Sequence, residues 1–226
     1  YRDLEIILVD DGSTDNSLAI CQHYAEKDPR IKIYHKPNGG VSSARNLGLG
    51  KSTGTLISFA DPDDSLHAEC IERLKRVLDE TGAEIAYCYG LDLLGTTGRT
   101  QTKSDETEPV RRYDWNSRKA HTVCWGALYR REVTQDVVFD TDLKIGEDTL
   151  FLAKCIRQAE KISCIDKALY YYYVNDDSVT SGHYSAGKLT ELKAWQRICE
   201  VFADEPFVYR SARAGSVVLL PCGKVH

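Results

Sequence analysis

Residues 5–15 read E-I-I-L-V-D-D-G-S-T-D, an apolar run that ends in two adjacent acids and a turn. The unbroken stretch Ile6 to Val9 suits a strand buried on both faces of a parallel sheet, because a half-exposed strand would alternate apolar with polar. Asp15 or Ser13 can cap a following helix that runs to about Lys27, where Leu18, Cys21 and Ala25 fall on one stripe. The unit then repeats. Ile31 to His35 is a second strand, Pro37-Asn38-Gly39-Gly40 is a breaker-rich loop, and Val41 to Leu49 is a short helix. Thr55 to Ala60 is a third strand, which ends at Asp61-Pro62-Asp63-Asp64. Ile71, Leu74 and Leu78 stripe the next helix, which stops near Thr81-Gly82 before a fourth strand, Glu84 to Tyr89. This alternation predicts an α/β fold with a right-handed, mostly parallel sheet flanked by helices.

Beyond residue 90 the rhythm weakens. Gly95 to Pro109 is polar and reads as a surface excursion. Val123 to Tyr129 and Lys161 to Tyr173 have strand character, and between them a helix begins near Asp148. Lys188 to Phe202 is a terminal helix, with Leu189, Leu192, Trp195, Cys199 and Phe202 at intervals of three and four. The division that follows is a domain over 1–180 and a C-terminal helix and tail over 181–226, the last twenty residues carrying no usable pattern.

Composition bounds the classes. With 42% hydrophobic and 28% charged residues, the 226-residue chain can bury a sizeable core and reads as soluble and globular. The net charge of −5 has no basic block to offset it, and Arg111-Arg112 and Arg130-Arg131 suit solvated faces or local phosphate contacts. Nucleic acid is therefore excluded as a partner. No apolar run reaches the ~18 residues of a membrane span and no signal-peptide pattern is present, so the reading is cytosolic. The eight cysteines stand singly, without zinc spacing, and read as buried free thiols. The chain contains no methionine and opens at Tyr1 just before an apolar strand, which reads as a fragment.

Two apolar strands end in clustered carboxylates, Asp10-Asp11 and Asp61, Asp63 and Asp64. Ligands of open α/β sheets bind at the carboxyl ends of strands. Acids packed so closely repel unless a cation or hydrogen-bond donors neutralise them, and a divalent metal with open positions for phosphate oxygens is the simplest occupant. The competing reading is helix capping. It serves for Asp15 or Ser65, but a single cap does not use the whole Asp61 to Asp64 group.

Four segments resemble the inverting family-2 glycosyltransferases of the GT-A fold: V-D-D-G-S-T-D (9–15), N-G-G-V-S-S-A-R-N-L-G (38–48), F-A-D-P-D-D (59–64) and G-E-D (146–148). Each is weak alone, and their order is specific. The resemblance implies a GT-A, Rossmann-like fold, a nucleotide-sugar donor with UDP as the default, a divalent manganese or magnesium ion, and single-displacement transfer with inversion. It assigns Asp11, with Asp10 beside it, to the nucleoside, Asp61 to the ribose side, and Asp63 or Asp64 to the metal. Arg45 is similar to the family arginine that stacks near the base or supports the acids, its alternative being a salt bridge between loop and sheet. Asp148 matches the general base and Glu147 its neighbour, with helix capping as the competing role. Trp125 in C-W-G-A-L-Y resembles the stretch that lines the acceptor pocket, core packing being the alternative. His183 carries no assignment.

Members of that family open with a further strand and helix that nothing before Tyr1 supplies, so the resemblance implies that the first strand-helix unit is missing and that a chain starting at Tyr1 is inactive. Backbone groups left unpaired by that loss would cost ~1 to 3 kcal/mol each. Tyr173-Val174-Asn175 also departs from the arginine common there. Saccharide or lipid-linked acceptors are implied, compatible with peripheral attachment at the inner face of a membrane. Two other readings stay open: a non-catalytic nucleotide-sugar-binding copy, and a nucleotidyltransferase of similar layout.

Overall fold

The computed structural model describes residues 1–92, 107–110, 121–173 and 189–204, with side chains omitted at 91–92 and 107–110. The elements run β1 (Ile6–Asp10), α1 (Ser17–Ala25), β2 (Ile31–His35), α2 (Val41–Lys51), β3 (Leu56–Ile57), β4 (Ser65–Leu66), α3 (Cys70–Thr81), β5 (Ile85–Asp92), β6 (Thr107–Val110), β7 (Ala127–Arg130), α4 (Glu147–Gln158), β8 (Ile162–Tyr172) and α5 (Leu189–Val201). The α/β fold expected from the strand and helix alternation is present.

The sheet arrangement is mixed rather than mostly parallel. β1 and β2 form a parallel pair of their own, with Leu8 opposite Ile33. The larger sheet runs β3-β7-β5-β8-β4, with β6 pairing Ile162 to Ile165 on the edge of β8 that β4 takes at Tyr170 and Tyr171. There, among the described strands, only β5 and β8 are parallel; β7 lies antiparallel to β3 and β5, and β4 and β6 lie antiparallel to β8. A parallel pair needs a crossover connection, and α4 lies between β5 and β8 in the chain.

β1 is only half-buried along Ile6 to Val9, contrary to the expectation of burial on both faces. Among the described residues it pairs with β2 alone, and Gly48 of α2 lies close to Val9 and Ile7. The third strand is also shorter than its apolar run, two residues plus a bridge from Phe59 to Trp125. Ser65 is not a helix cap: it pairs with Tyr171 in the sheet. Thr107 to Pro109 of the expected surface excursion form β6 together with Val110, while 95–106 lie outside the described residues. Arg111-Arg112, His183, Val174-Asn175, Cys222 and the last twenty residues also lie outside them. Arg130 and Arg131 are tie residues, donating to the carbonyls of Ala83 and Gly54.

Two apolar clusters flank the larger sheet. One gathers Phe139, Leu150, Phe151, Ile156, Ala194, Ile198 and Phe202 around α4 and α5; the other places Leu74, Val77 and Leu78 of α3 against Ala86, Cys88 and Leu169. α3 ends where Gly82 takes a left-handed φ of 67° and its N–H caps Leu78. In α5 the buried stripe is Ala194, Ile198 and Phe202, and Leu189 at the helix start is 60% exposed. The helix therefore faces α4 about one residue away from the stripe that its bulkiest side chains suggest. The seven described cysteines are free thiols, Cys70, Cys88, Cys124, Cys155 and Cys164 among them buried.

Candidate active site

The turn after β1 is closed by the loop before α2. Both carboxylate oxygens of Asp11 accept from Gly39 N–H (3.0 and 3.2 Å), and Gly40 N–H donates at 2.7 Å. Lys36 completes an ion pair with the same group. Burial pushes the Asp11 carboxyl up, but Lys36 and the two glycine N–H groups outweigh it and hold it below the usual range. Gly12 allows this closure: its φ is 75°, and a Cβ there would stand 2.7 Å from Asn38 N. Asp10 turns inward at 6% exposure, accepting from His35 Nδ1 at 2.6 Å and from Ser13 N–H at 3.3 Å. Hydrogen bonds from Ser13 and His35 lower its carboxyl.

One helix connects this corner to the second acid group. Gly40 and Arg45 are five residues apart, about 7 Å along the axis of α2 at helical rise. Arg45 donates to Asp61 at 2.6 Å and to Glu147 at 2.9 Å, and its guanidinium lies over the Phe139 ring at 5.4 Å. Burial works against its charge, but Cys124, Asp61 and Glu147 raise it above the ordinary arginine range. The Cys124 thiol is itself pushed up by burial and stays neutral, which leaves the two carboxylates as the counter-charges. These ion pairs fit both the support of the acids that the resemblance offered for Arg45 and its alternative, a structural salt bridge.

Asp148 follows Glu147 at the start of α4. It keeps an opening to solvent, while burial and the negative charge of Glu147 raise its carboxyl to about 6, against the lowering effects of Thr149 N–H and Arg45. Its two described hydrogen bonds both come from Thr149, the N–H at 2.7 Å and the hydroxyl at 3.4 Å. Asp61 also raises Asp148, so Arg45, Asp61, Glu147 and Asp148 act on one another although they come from three separate parts of the chain.

The acids after β3 divide their tasks. Tyr170 of β8 accepts from Asp61 N–H at 3.1 Å and donates to Asp64 at 2.7 Å, and Tyr173 N–H donates to Asp64 at 3.0 Å. Burial raises the Asp64 carboxyl. Asp63 is exposed and forms no hydrogen bond or ion pair with a described residue. Trp125 stacks on Tyr170 at 4.4 Å and on Tyr172 at 5.9 Å, the i and i+2 rings of one strand face. A Cβ at Gly90 would meet the Trp125 ring at 2.9 Å, so the indole is packed as well as near the acids.

Among the described residues no three His, Cys, Asp or Glu converge as a cage for a metal ion. The donor set fits a different coordination: Asp63 offers free hard oxygens and Asp64 stands one residue away, the one or two carboxylates that magnesium or manganese takes when substrate phosphates and water supply the rest. Sequence spacing did not single out Lys36, His35, Asn46, Cys124 or the Tyr170 hydroxyl. Asn46, adjacent to Arg45, was within reach of the reading; the others meet the acids only through pairing of distant strands.

A mixed α/β sheet whose strand ends and helix starts bring carboxylates together defines a chain of the GT-A type. Residues 1–138 match the family model of glycosyl transferase family 2, and the chain belongs to that family. It is 34% identical over 200 residues to the uncharacterized glycosyltransferase EpsJ of Bacillus subtilis, covering 80% of this chain and 56% of that protein. It is 30% identical over 175 residues to the poly(ribitol-phosphate) beta-N-acetylglucosaminyltransferase TarS of Staphylococcus aureus, covering 75% of this chain and 30% of that protein. The solved structure of TarS 1–349 with UDP-GlcNAc superimposes with a TM-score of 0.75 at 27% identity, covering 88% of this chain and 58% of the other. The chain thus spans little more than half of EpsJ and less than a third of TarS.

Proposed function

We propose that the protein is a metal-assisted glycosyltransferase that moves a sugar from a nucleoside diphosphate to a saccharide or lipid-linked acceptor with inversion. The observation that carries this reading is the Arg45 bridge from Asp61 to Glu147, which sets the donor-side acids beside Asp148. A UDP-sugar is the donor we favour, as the TarS relative was solved with UDP-GlcNAc. The transferase unit is 1–180, with the helix and tail of 181–226 attached, and the protein acts at the cytoplasmic side of the envelope where growing surface polymers are presented.

In this reading Asp11, seated by Lys36 and the glycine N–H groups, faces the nucleoside, and Asp10 holds His35 and the turn in place. Asp61 faces the ribose while Arg45 fixes its carboxylate. Asp63, with Asp64 beside it, would hold a manganese or magnesium ion that neutralises charge on the departing diphosphate. Asp148 takes the proton of the acceptor hydroxyl as that oxygen bonds to the anomeric carbon. The bond from the anomeric carbon to the diphosphate oxygen breaks on the opposite face and its electron pair leaves with the nucleoside diphosphate. A carboxyl near 6 suits this work, since it is ionised at neutral pH yet basic enough to accept a proton late in the transfer. Trp125 and the Tyr172 edge border the acceptor side, where aromatic rings pack against the apolar faces of sugars.

The test is a nucleotide-sugar panel on the whole protein, with and without manganese, read by thermal shift and by product formation. A metal-dependent shift with one donor and turnover that disappears in Asp63→Asn and Asp148→Asn supports the reading. Turnover retained by Asp148→Asn would overturn it.

A further inference from the structure

The loop that delivers Asp148 is held from two sides. From α2, the Asn46 side-chain amide pairs with the backbone of Phe139, donating to its carbonyl at 2.8 Å and accepting its N–H at 2.8 Å, and the Ser42 hydroxyl donates to the Asp140 carbonyl at 3.1 Å. From α5, the Thr190 oxygen accepts the N–H groups of Lys144 (3.1 Å) and Ile145 (3.0 Å), the last two residues before Gly146, and its hydroxyl lies 3.2 Å from the Ile145 carbonyl. Arg197 donates one nitrogen to Asp140 at 2.6 Å and both to Asp142, at 2.7 and 2.8 Å. Between them Ala194 abuts Gly146, which has a φ of 87° and where a Cβ would stand 2.7 Å from the Ala194 Cβ.

Thr190, Ala194 and Arg197 lie at i, i+4 and i+7, one face of α5. The packing stripe Ala194, Ile198 and Phe202 lies beside it, so cohesion with α4 and contact with the loop belong to neighbouring faces of the same helix. The polar contacts are not what packing alone requires. The Arg197–Asp142 pair, open to solvent on the Asp142 side, contributes little to stability, and a hydroxyl whose two lone pairs take successive backbone N–H groups fixes their direction. What these contacts fix is the path from residue 140 to 146, and that path determines where the first turn of α4, with Asp148 in it, stands relative to the Arg45 bridge.

We infer that α5 is the clamp that sets the general base, with Thr190 and Arg197 as positioning residues for Asp148. The inference rests on the proposed role of Asp148 as base. It makes the helix outside the four motifs a determinant of turnover rather than of donor binding: the donor-side acids Asp11, Asp61 and Asp63 have no described contact with α5. A displacement of about 1 Å at a proton-accepting oxygen is enough to cost two orders of magnitude in rate.

The test compares Thr190→Val, which keeps shape and removes the hydroxyl, with Thr190→Ser, which restores it, and with Arg197→Gln, all in the whole protein. Thr190→Val is expected to lower kcat about 10- to 100-fold with the KM for the nucleotide sugar within about twofold, and Thr190→Ser to recover most of the rate. Arg197→Gln, at a half-buried position, is expected to lower kcat in the same way with the KM for the nucleotide sugar again within about twofold. Wild-type kcat in both Thr190→Val and Arg197→Gln, alongside an inactive Asp148→Asn, would overturn the clamp and leave the base standing. Loss of donor affinity in step with kcat would overturn it also, as the signature of general unfolding. An active Asp148→Asn would remove the base and the clamp together.

Discussion

Arg45 donates to Glu147 at 2.9 Å across 102 positions of the chain, joining the middle of α2 to the first residue of α4. Because its other arm holds Asp61, Arg45 fixes two carboxylates with one planar fork, at 12% side-chain exposure. Lysine offers a single charge centre and cannot reproduce this geometry.

Arg45→Lys is accordingly expected to lower turnover by about 100-fold. The same change destabilises the fold by about 3 kcal/mol, the cost of leaving one acid of a largely buried ion pair without its partner. Because the Arg45 charge lowers the Asp148 carboxyl, Arg45→Gln, which removes that charge, should move the acid limb of the pH–rate profile to higher pH. Chemical denaturation and a pH–rate profile check both effects; an acid limb that does not move would separate Arg45 from Asp148.

The acid limb of the wild-type profile is expected near 6, the value to which burial and Glu147 raise Asp148, with activity falling below it as the base is protonated. Glu147→Gln removes the neighbouring negative charge and should shift that limb downward. A limb unaffected by Glu147→Gln would assign it to another group.

Ionised Asp148 also burdens the fold. Its carboxyl is raised from 3.8 to about 6, so stability is fully present below the unfolded value and is lost as pH rises through the folded one. Asp148→Asn lacks that loss and is expected to be more stable than wild type at pH 7.5 by about 1 to 3 kcal/mol, while losing turnover. Below pH 4 the two proteins should converge. Denaturant melts at the two pH values decide it.

Tyr170→Phe removes a hydroxyl that accepts from Asp61 N–H and donates to Asp64. The stability cost is about 1 to 2 kcal/mol for the hydrogen bonds lost at a buried ring. Asp64 then keeps the Tyr173 N–H but loses its tether to Tyr170, and half-maximal activation should require several-fold more manganese. An unchanged activation curve would show that the Tyr170 tether does not organise the acids.

Gly146→Ala meets two obstacles, a left-handed φ of 87° and the Ala194 Cβ at 2.7 Å. The conformational part is about 1 to 2 kcal/mol. Adding Ala194→Gly relieves the overlap but not the strain, so the double variant should recover only part of the loss in a double-mutant cycle.

Much of the frame was legible because it rests on local patterns. The apolar run before Asp10, the breakers at Pro37 to Gly40, the stripe of α3 and the Gly82 stop each act within a few residues, and the structure shows an element at each place. Partnership was not legible. Ser65 satisfies the composition of a cap yet pairs with Tyr171, and nothing near β7 announces that it runs against β5. β1 has the composition of a fully buried strand but is half-buried, because burial depends on what lies beside a strand and not on the strand itself.

The same division holds at the site. Sequence by itself determined which acids stand at the ends of strands and the starts of helices, since the apolar runs before them and the turn residues after them fix those positions by short-range sterics and burial. Only the tertiary structure decided that Arg45 spans Asp61 and Glu147, that Tyr170 ties Asp61 to Asp64, and that α5 grips the loop before Asp148. Those contacts join residues 16 to 109 positions apart, and which long side chain meets which distant acid is set by sheet register and helix packing rather than by any local pattern.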